Sequence, residues 1–299
     1  MSFSYETKLE LCRIPVQKLC CARAEAYGIL LYCNTFTPSE VRVVTGNDSF
    51  AARLPKLFKR AFGVRFDTLP EPEQEGKRVL RITDREKLDH IVDLLGYDPR
   101  QTPVLHVNFA LLEEPCDRSA FLRGAFLAGG SITDPQKRYH LELVTSHYQV
   151  SREMESLLQE CGYPPKSVSR NGSSVAYFKQ SDQIEDFLTL VGAPVAAMEI
   201  MSAKLEKDLR NSVNRRLNCD SANLDKAVSA SRGQHDAIAR LRESGRLETL
   251  PAKLRETASL RLEHPELSLS ELAEEFDPPL SKSCLNHRLR KLVELSKET

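Results

Sequence analysis

The sequence predicts an α+β fold in which a duplicated α+β unit is followed by an all-α domain. The order helix, strand, helix, hairpin, helix occurs twice, over about residues 17–100 and again over about 117–195. After a linking helix, the periodic segments of 218–299 all read as helices, and Ser268 to Lys297 reads as two of them joined by a tight corner.

In the first unit, Gln17 to Phe36 is a largely apolar helical run with Ala22, Ala24, Ala26 and Gly28 in its middle, small residues that let a second helix approach closely. Glu40 to Thr45 is predicted as a strand and Phe50 to Phe62 as a helix. Val64 to Leu69 and Arg78 to Ile82 are predicted as a hairpin around a polar turn from Pro70 to Gly76. Asp84 to Leu95 closes the unit as a helix, stopped by Gly96 and Pro99. The second unit repeats the order. Asp117 to Gly130 is a small-residue helix capped by Asp117 or Ser119, Tyr139 to Thr145 a strand, and Gln149 to Cys161 a helix. Lys166 to Ser169 and Val175 to Phe178 form a hairpin around Asn171-Gly172, and Asp182 to Val191 is the closing helix. Gly28 and Gly124 align the halves with an offset of 96 residues.

Met198 to Leu217 is predicted as a linking helix, broken by the polar cluster Asn218 to Asn223, which places the domain boundary between 217 and 218. Lys204, Lys207, Arg210, Arg215 and Arg216 make this helix basic, as a solvated face or as an arm with secondary phosphate contacts. Leu224 to Arg242 and Leu250 to Leu262 supply two supporting helices. Ser268 and Glu271 have the spacing of a capping box, Leu272, Ala273 and Phe276 form a narrow apolar stripe, and Asp277-Pro278-Pro279 forces a turn that lacks the usual glycine. Ser281 or Ser283 caps the last helix, whose Leu285, Leu289, Leu292 and Val293 share one face. Its other residues suit duplex DNA. Asn286 and Arg290, one turn apart, can pair with purine edges, with His287 between them as a base contact or a surface residue; Ser281, Lys282, Ser283, Arg288 and Lys291 complete the candidate DNA-binding set.

Composition limits the alternatives. With 42 basic and 42 acidic side chains the formal net charge is zero, so attraction to nucleic acid must come from local patches. No stretch reaches the length of an apolar membrane span and the N-terminal region has no secretory pattern, so a cytoplasmic, nucleoid-associated protein with no membrane partner is expected. The eight cysteines show neither CxxC nor matching histidine spacing, which indicates neither a zinc site nor a disulfide framework; no metal or cofactor is expected.

The helices centred on YGILLYCNTF and FLRGAFLAGGSI resemble degenerate copies of the paired LAGLIDADG helices of homing endonucleases. The whole chain, with RGAFLAGGSITDP and SKSCLNHRLRKL as its most specific stretches, resembles the WhiA family of bacterial regulators, which joins that module to a helix-turn-helix domain. The resemblance implies a duplicated LAGLIDADG homing-endonuclease-like domain followed by an all-α helix-turn-helix domain. It also implies a non-enzymatic transcription regulator, linked to cell division, chromosome segregation or sporulation, whose partners are double-stranded DNA and, as an open class, other regulatory proteins.

In an active member of the endonuclease group, an acidic residue near the bottom of each helix holds divalent metal. Alignment on Gly28 and Gly124 puts Cys33 and Gly129 at those positions, which implies that no cutting remains. Two alternatives stay open: a residual metal-dependent endonuclease with a displaced site using Asp134 and Asp48, and a nucleoid-associated interaction scaffold. The sheets could contact DNA, bind a protein or be structural, since Arg42, Arg65, Arg78 and Arg81 are offset by Glu40 and Asp67, and His140 by Glu142.

Overall fold

The structure is a computed structural model that describes residues 2–71, 76–98 and 105–297. It divides into two compact units, Met1–Lys207 and Asp208–Thr299.

The first unit is α+β and duplicated. Its elements begin with α1 (Phe3–Cys12), α2 (Leu19–Tyr32), β1 (Thr35–Thr37), β2 (Glu40–Thr45), α3 (Asp48–Phe62), β3 (Arg78–Ile82) and α4 (Arg85–Leu94). The second half contains α5 (Pro115–Gly129), β4 (Gly130–Ile132), β5 (Leu141–Thr145), α6 (Tyr148–Glu160), β6 (Lys166–Arg170), β7 (Ser173–Phe178) and α7 (Ser181–Val191). Two antiparallel sheets result, ordered β1-β2-β3 and β4-β5-β7-β6. In β2 and β5 alternate residues, Val41 and Val43, then Leu141 and Leu143, point into the core, the period-2 signature of a sheet with one covered face.

Between the sheets α2 and α5 pack backbone to backbone. A Cβ on Gly28 would overlap the Phe121 carbonyl oxygen, and one on Gly124 would overlap the Glu25 carbonyl oxygen. The two glycines used to align the repeats therefore occupy equivalent places at a single crossing. Around it Tyr27, Ile29, Leu30, Leu31, Phe121 and Phe126 are fully buried. Such contact along both helices explains why neither shows a polar face: each is surrounded by core.

Several expected boundaries change. The Gln17 to Phe36 run ends its helix at Tyr32, and the remainder turns into edge strand β1, where the Asn34 side chain accepts the Val44 amide at 2.7 Å. Val64 to Leu69 is not a strand. Its pairing is reduced to a bridge between Thr68 and Arg81, and beside it the Asp67 carboxylate accepts the amides of Thr83 and Asp84 and pairs with Lys87 at the entrance to α4. Part of the expected turn, 72–75, and Pro99 lie outside the described residues. Helix α5 starts at Pro115 with Glu114 as its N-cap, so neither Asp117 nor Ser119 caps it; proline is tolerated there because its missing N–H would have been unpaired. Helix α1 and strand β4 were not anticipated. The second hairpin turns at Asn171-Gly172, both at positive φ as its turn requires.

The Asn218 to Asn223 cluster breaks nothing: α8 runs without interruption from Pro194 to Glu243, 50 residues. No glycine or proline stands in the cluster, and asparagine, serine and aspartate each cost only about 0.5 kcal/mol against alanine in a helix, too little to end one.

In the second unit the end of α8 packs with α9 (Ala252–Glu263), α10 (Leu269–Glu274) and α11 (Lys282–Leu295). Ile238, Leu241, Ala258, Leu272, Leu285, Leu289 and Leu292 are its closed core. The capping box is present in both directions: the Ser268 amide donates to Glu271 Oε2 at 2.9 Å and the Glu271 amide to Ser268 Oγ at 3.3 Å.

Candidate nucleic-acid interface

The rotation of α11 about its axis is set by its leucines. Leu285, Leu289 and Leu292 are wholly buried, so residues half a turn away point outward. Ser283, His287 and Arg290 are exposed on that outward side, and Asn286, about a quarter turn from Leu285, is half-buried at its margin. Ser281, not Ser283, caps the helix, accepting the Cys284 amide at 3.2 Å, which leaves the Ser283 hydroxyl to solvent. Lys282 is exposed at the first turn. Lys291 is exposed beside Glu294, at 3.5 Å.

Arg288 is turned differently. Its guanidinium lies 5.7 Å from the centre of the Phe276 ring, on the corner between α10 and α11, and it is half-buried there. Phe276 itself is 4% exposed, and the Leu280 amide donates to the Ala273 carbonyl at 2.9 Å. Together these contacts close a corner that has no glycine. Arg261 supports α10 from behind: 2% exposed, it donates to the Gln234 side chain at 3.1 Å and to the carbonyls of His264 and Leu267 at 3.3 and 2.8 Å. Nothing in the residue pattern marked Arg261 as structural, because its partners are backbone carbonyls and a glutamine 27 residues away.

The basic residues of α8 separate into two groups. Lys204 pairs with Asp182 on α7, and Lys207 donates to the Pro135 carbonyl at 2.5 Å while its ammonium sits 4.3 Å from the centre of the Tyr139 ring. Both are engaged within the first unit. Arg210, Arg215 and Arg216 are exposed, Arg215 folding back on the Asn211 carbonyl at 3.3 Å.

At the bottoms of the paired helices the chemistry differs from that of a metal site. The Cys33 thiol, with one proton to donate, stands within hydrogen-bond reach of the carbonyls of Leu30 and Thr35 at 3.2 and 3.1 Å, and burial pushes it up to about 12. It is a neutral thiol tied to backbone. Gly129 has no room for a side chain: an added Cβ would overlap the Val144 carbonyl oxygen and come within 2.8 Å of the Tyr32 ring. Asp134 accepts the Gln136 amide at 2.9 Å and its carbonyl accepts the Lys137 and Arg138 amides, the geometry of a turn. Asp48 pairs with Arg78 at 2.9 Å in the other half.

The basic residues of the sheets fall into two groups: Arg42 on β2, whose Nε is buried without a hydrogen-bond partner among the described residues, and Lys166 and Arg170 on the fully exposed strand β6 stand apart from the ion pairs that hold the others. Arg78 is paired with Asp48, Arg81 stands 3.7 Å from Glu40, and His140 stands 3.3 Å from Glu142, while Arg65 is exposed.

With this geometry, comparison with known proteins is informative. The sequence profile of the WhiA C-terminal HTH domain matches residues 213–296, and that of the WhiA LAGLIDADG-like domain matches 118–210. A protein described as Probable cell division protein WhiA from Ruminiclostridium cellulolyticum is 38% identical over 304 residues, covering 99% of this chain and 97% of that one. The chain belongs to the WhiA family. Another relative, Probable cell division protein WhiA from Alkaliphilus metalliredigens, is 36% identical over 309 residues, covering 99% and 98%. The crystal structure of full-length WhiA from Thermatoga maritima covers 100% of this chain and 99% of that one with a TM-score of 0.62 and 23% identity, which shows the shared fold. The LAGLIDADG-like profile reaches only the second repeat. In this chain the first repeat is identified by the reciprocal Gly28 and Gly124 contacts. No helix among the described residues is long and apolar enough to cross a membrane.

Proposed function

We propose that the chain is a DNA-binding transcription regulator acting in cell division, chromosome segregation or sporulation, with α11 as the helix that enters the major groove. The observation that carries the proposal is the rotation of α11: three buried leucines leave His287 and Arg290 outward with Asn286 half-buried at their edge, residue types that pair with base edges. Ser281, Lys282, Ser283 and Lys291 border them and would position the backbone. Arg288 would act through the corner it braces, and Arg210, Arg215 and Arg216 on α8 are the better candidates for secondary phosphate contacts than Lys204 and Lys207, which are already engaged. Double-stranded DNA is the partner, and a place in the cytoplasm at the nucleoid goes with it.

The same chain is proposed to cut no DNA. At one equivalent of the acidic positions stands a thiol bonded to carbonyls, and at the other a glycine whose surroundings exclude any carboxylate. A genome-wide map of bound sites tests the regulatory role, a sharp shared motif being the expected result and even coverage the result against it. Incubation of supercoiled plasmid with protein and magnesium or manganese tests the second statement; cutting that Asp134→Ala abolishes would overturn it.

A further inference from the structure

Three thiols and a carboxylate meet at the end of the helix pair opposite to Cys33 and Gly129. Cys20 and Cys21 are the second and third residues of α2; Cys116 and Asp117 are the second and third residues of α5. The offset of 96 residues that superposes Gly28 on Gly124 also superposes Cys20 on Cys116 and Cys21 on Asp117. One side chain of each kind of position is thus supplied twice, by the two repeats. Among the described residues this is the grouping whose ligand atoms, three Sγ and a carboxylate oxygen, all lie within 4.8 Å of one another. Cys20 Sγ and Cys21 Sγ are 3.9 Å apart, and Cys116 Sγ is 3.6 Å from Asp117 Oδ1.

We propose that Cys20, Cys21, Cys116 and Asp117 bind one zinc ion that pins the N-terminal ends of α2 and α5 together. Tetrahedral zinc has sulfur ligands at about 2.3 Å, so neighbouring ligands stand roughly 3.8 Å apart. The four groups need contract by only about 1 Å, within reach of rotation about χ1. Three sulfurs select a thiophilic ion over magnesium or calcium. Both helices present the positive end of their dipoles at this point, which offsets the negative charge of three thiolates and a carboxylate. Asp117 is 5% exposed while Cys20 is open to solvent, giving a site with a closed floor and an entry path. On binding, each ligating thiol releases its proton to water. The CxxC test missed the grouping because its halves come from two helices, each contributing adjacent residues.

The test uses the full-length chain, reduced and freed of metal by chelation. Cobalt(II) is expected to give the visible bands of a tetrahedral centre together with thiolate-to-metal charge transfer, at one equivalent, and zinc to displace it. Cys21→Ser and Cys116→Ser should each lower zinc affinity by more than about 100-fold and Asp117→Asn by about 10- to 100-fold, with Cys219→Ser unchanged. Far-UV circular dichroism of each variant establishes that it folds, and zinc should raise the melting temperature of the parent chain but not of Cys116→Ser. Absence of the cobalt bands, or bands indifferent to Cys21→Ser and Cys116→Ser, would overturn the proposal. So would unchanged affinity in Asp117→Asn, or a reduced chain that binds no zinc yet forms a Cys21 to Cys116 disulfide on mild oxidation.

Discussion

Glu25 and Arg53 form a two-pronged ion pair in the middle of the first unit, with the guanidinium Nε and Nη2 at 2.6 and 2.9 Å from the two carboxylate oxygens. Glu25 is 2% exposed and also receives Arg123 at 3.0 Å, so one carboxylate on α2 is shared by an arginine from each repeat. Both arginines reach onward, Arg53 to the carbonyls of Cys12 and Ile14 and Arg123 to that of Val191. The network therefore ties α1, α3, α5 and α7 to α2.

Glu25→Gln leaves two guanidinium groups without their anion at a buried site. The expected loss is about 3 to 5 kcal/mol of stability. Urea unfolding of the full chain measures it, and a loss below about 1 kcal/mol would show that solvent reaches the site after all.

Gly124→Ala should cost at least about 3 kcal/mol, because the added methyl meets the backbone of Glu25 and Ile29, which no rotamer change can move. Gly233→Ala, on α8 where nothing lies within 4 Å, should instead stabilise by about 0.4 to 1 kcal/mol. Opposite shifts in melting temperature are the expected result; equal shifts would mean the helix crossing is looser than described.

Asp67 supplies a pH signature. Burial acts to raise its carboxyl, but Lys87 and the amides of Thr83 and Asp84 outweigh that and hold it down at about 2, below the unfolded value of 3.8. The folded state thus binds the proton less readily. Its stabilising contribution is complete above about pH 4 and is lost as pH falls through 2. The melting-temperature difference between the parent and Asp67→Asn should be constant above pH 4 and shrink toward pH 2; a difference independent of pH would refute the assignment.

Arg290→Ala is expected to weaken duplex binding by about 1 to 3 kcal/mol and to relax sequence preference, whereas Arg210→Ala should weaken all duplexes alike and reduce the salt slope by about 1. Arg288→Ala should act mainly by loosening the Phe276 corner, visible as a lower melting temperature of the second unit. Fluorescence anisotropy across a salt series separates the three. Identical behaviour of Arg290→Ala and Arg288→Ala would remove the distinction drawn from the rotation of α11.

The linear sequence determined the parts whose cause is local. Strands β2 and β3, the Ser268 and Glu271 capping box, the Asn171-Gly172 turn and the buried leucines of α11 all follow from periodicity or from bonds between residues a few positions apart. The repeat was also legible, through two glycines. What only the tertiary structure decided depends on contacts between distant segments. Val64 to Leu69 has strand composition, yet pairs only through a bridge from Thr68 to Arg81; Asn218 to Asn223 has loop composition, yet nothing in it forbids a helix. Lys204, Lys207 and Arg288 look like free cations in the chain and are engaged by Asp182, Tyr139 and Phe276. Cys20, Cys21, Cys116 and Asp117 become neighbours for the same reason. Spacing along the chain cannot express a distance set by two helices crossing at Gly28 and Gly124.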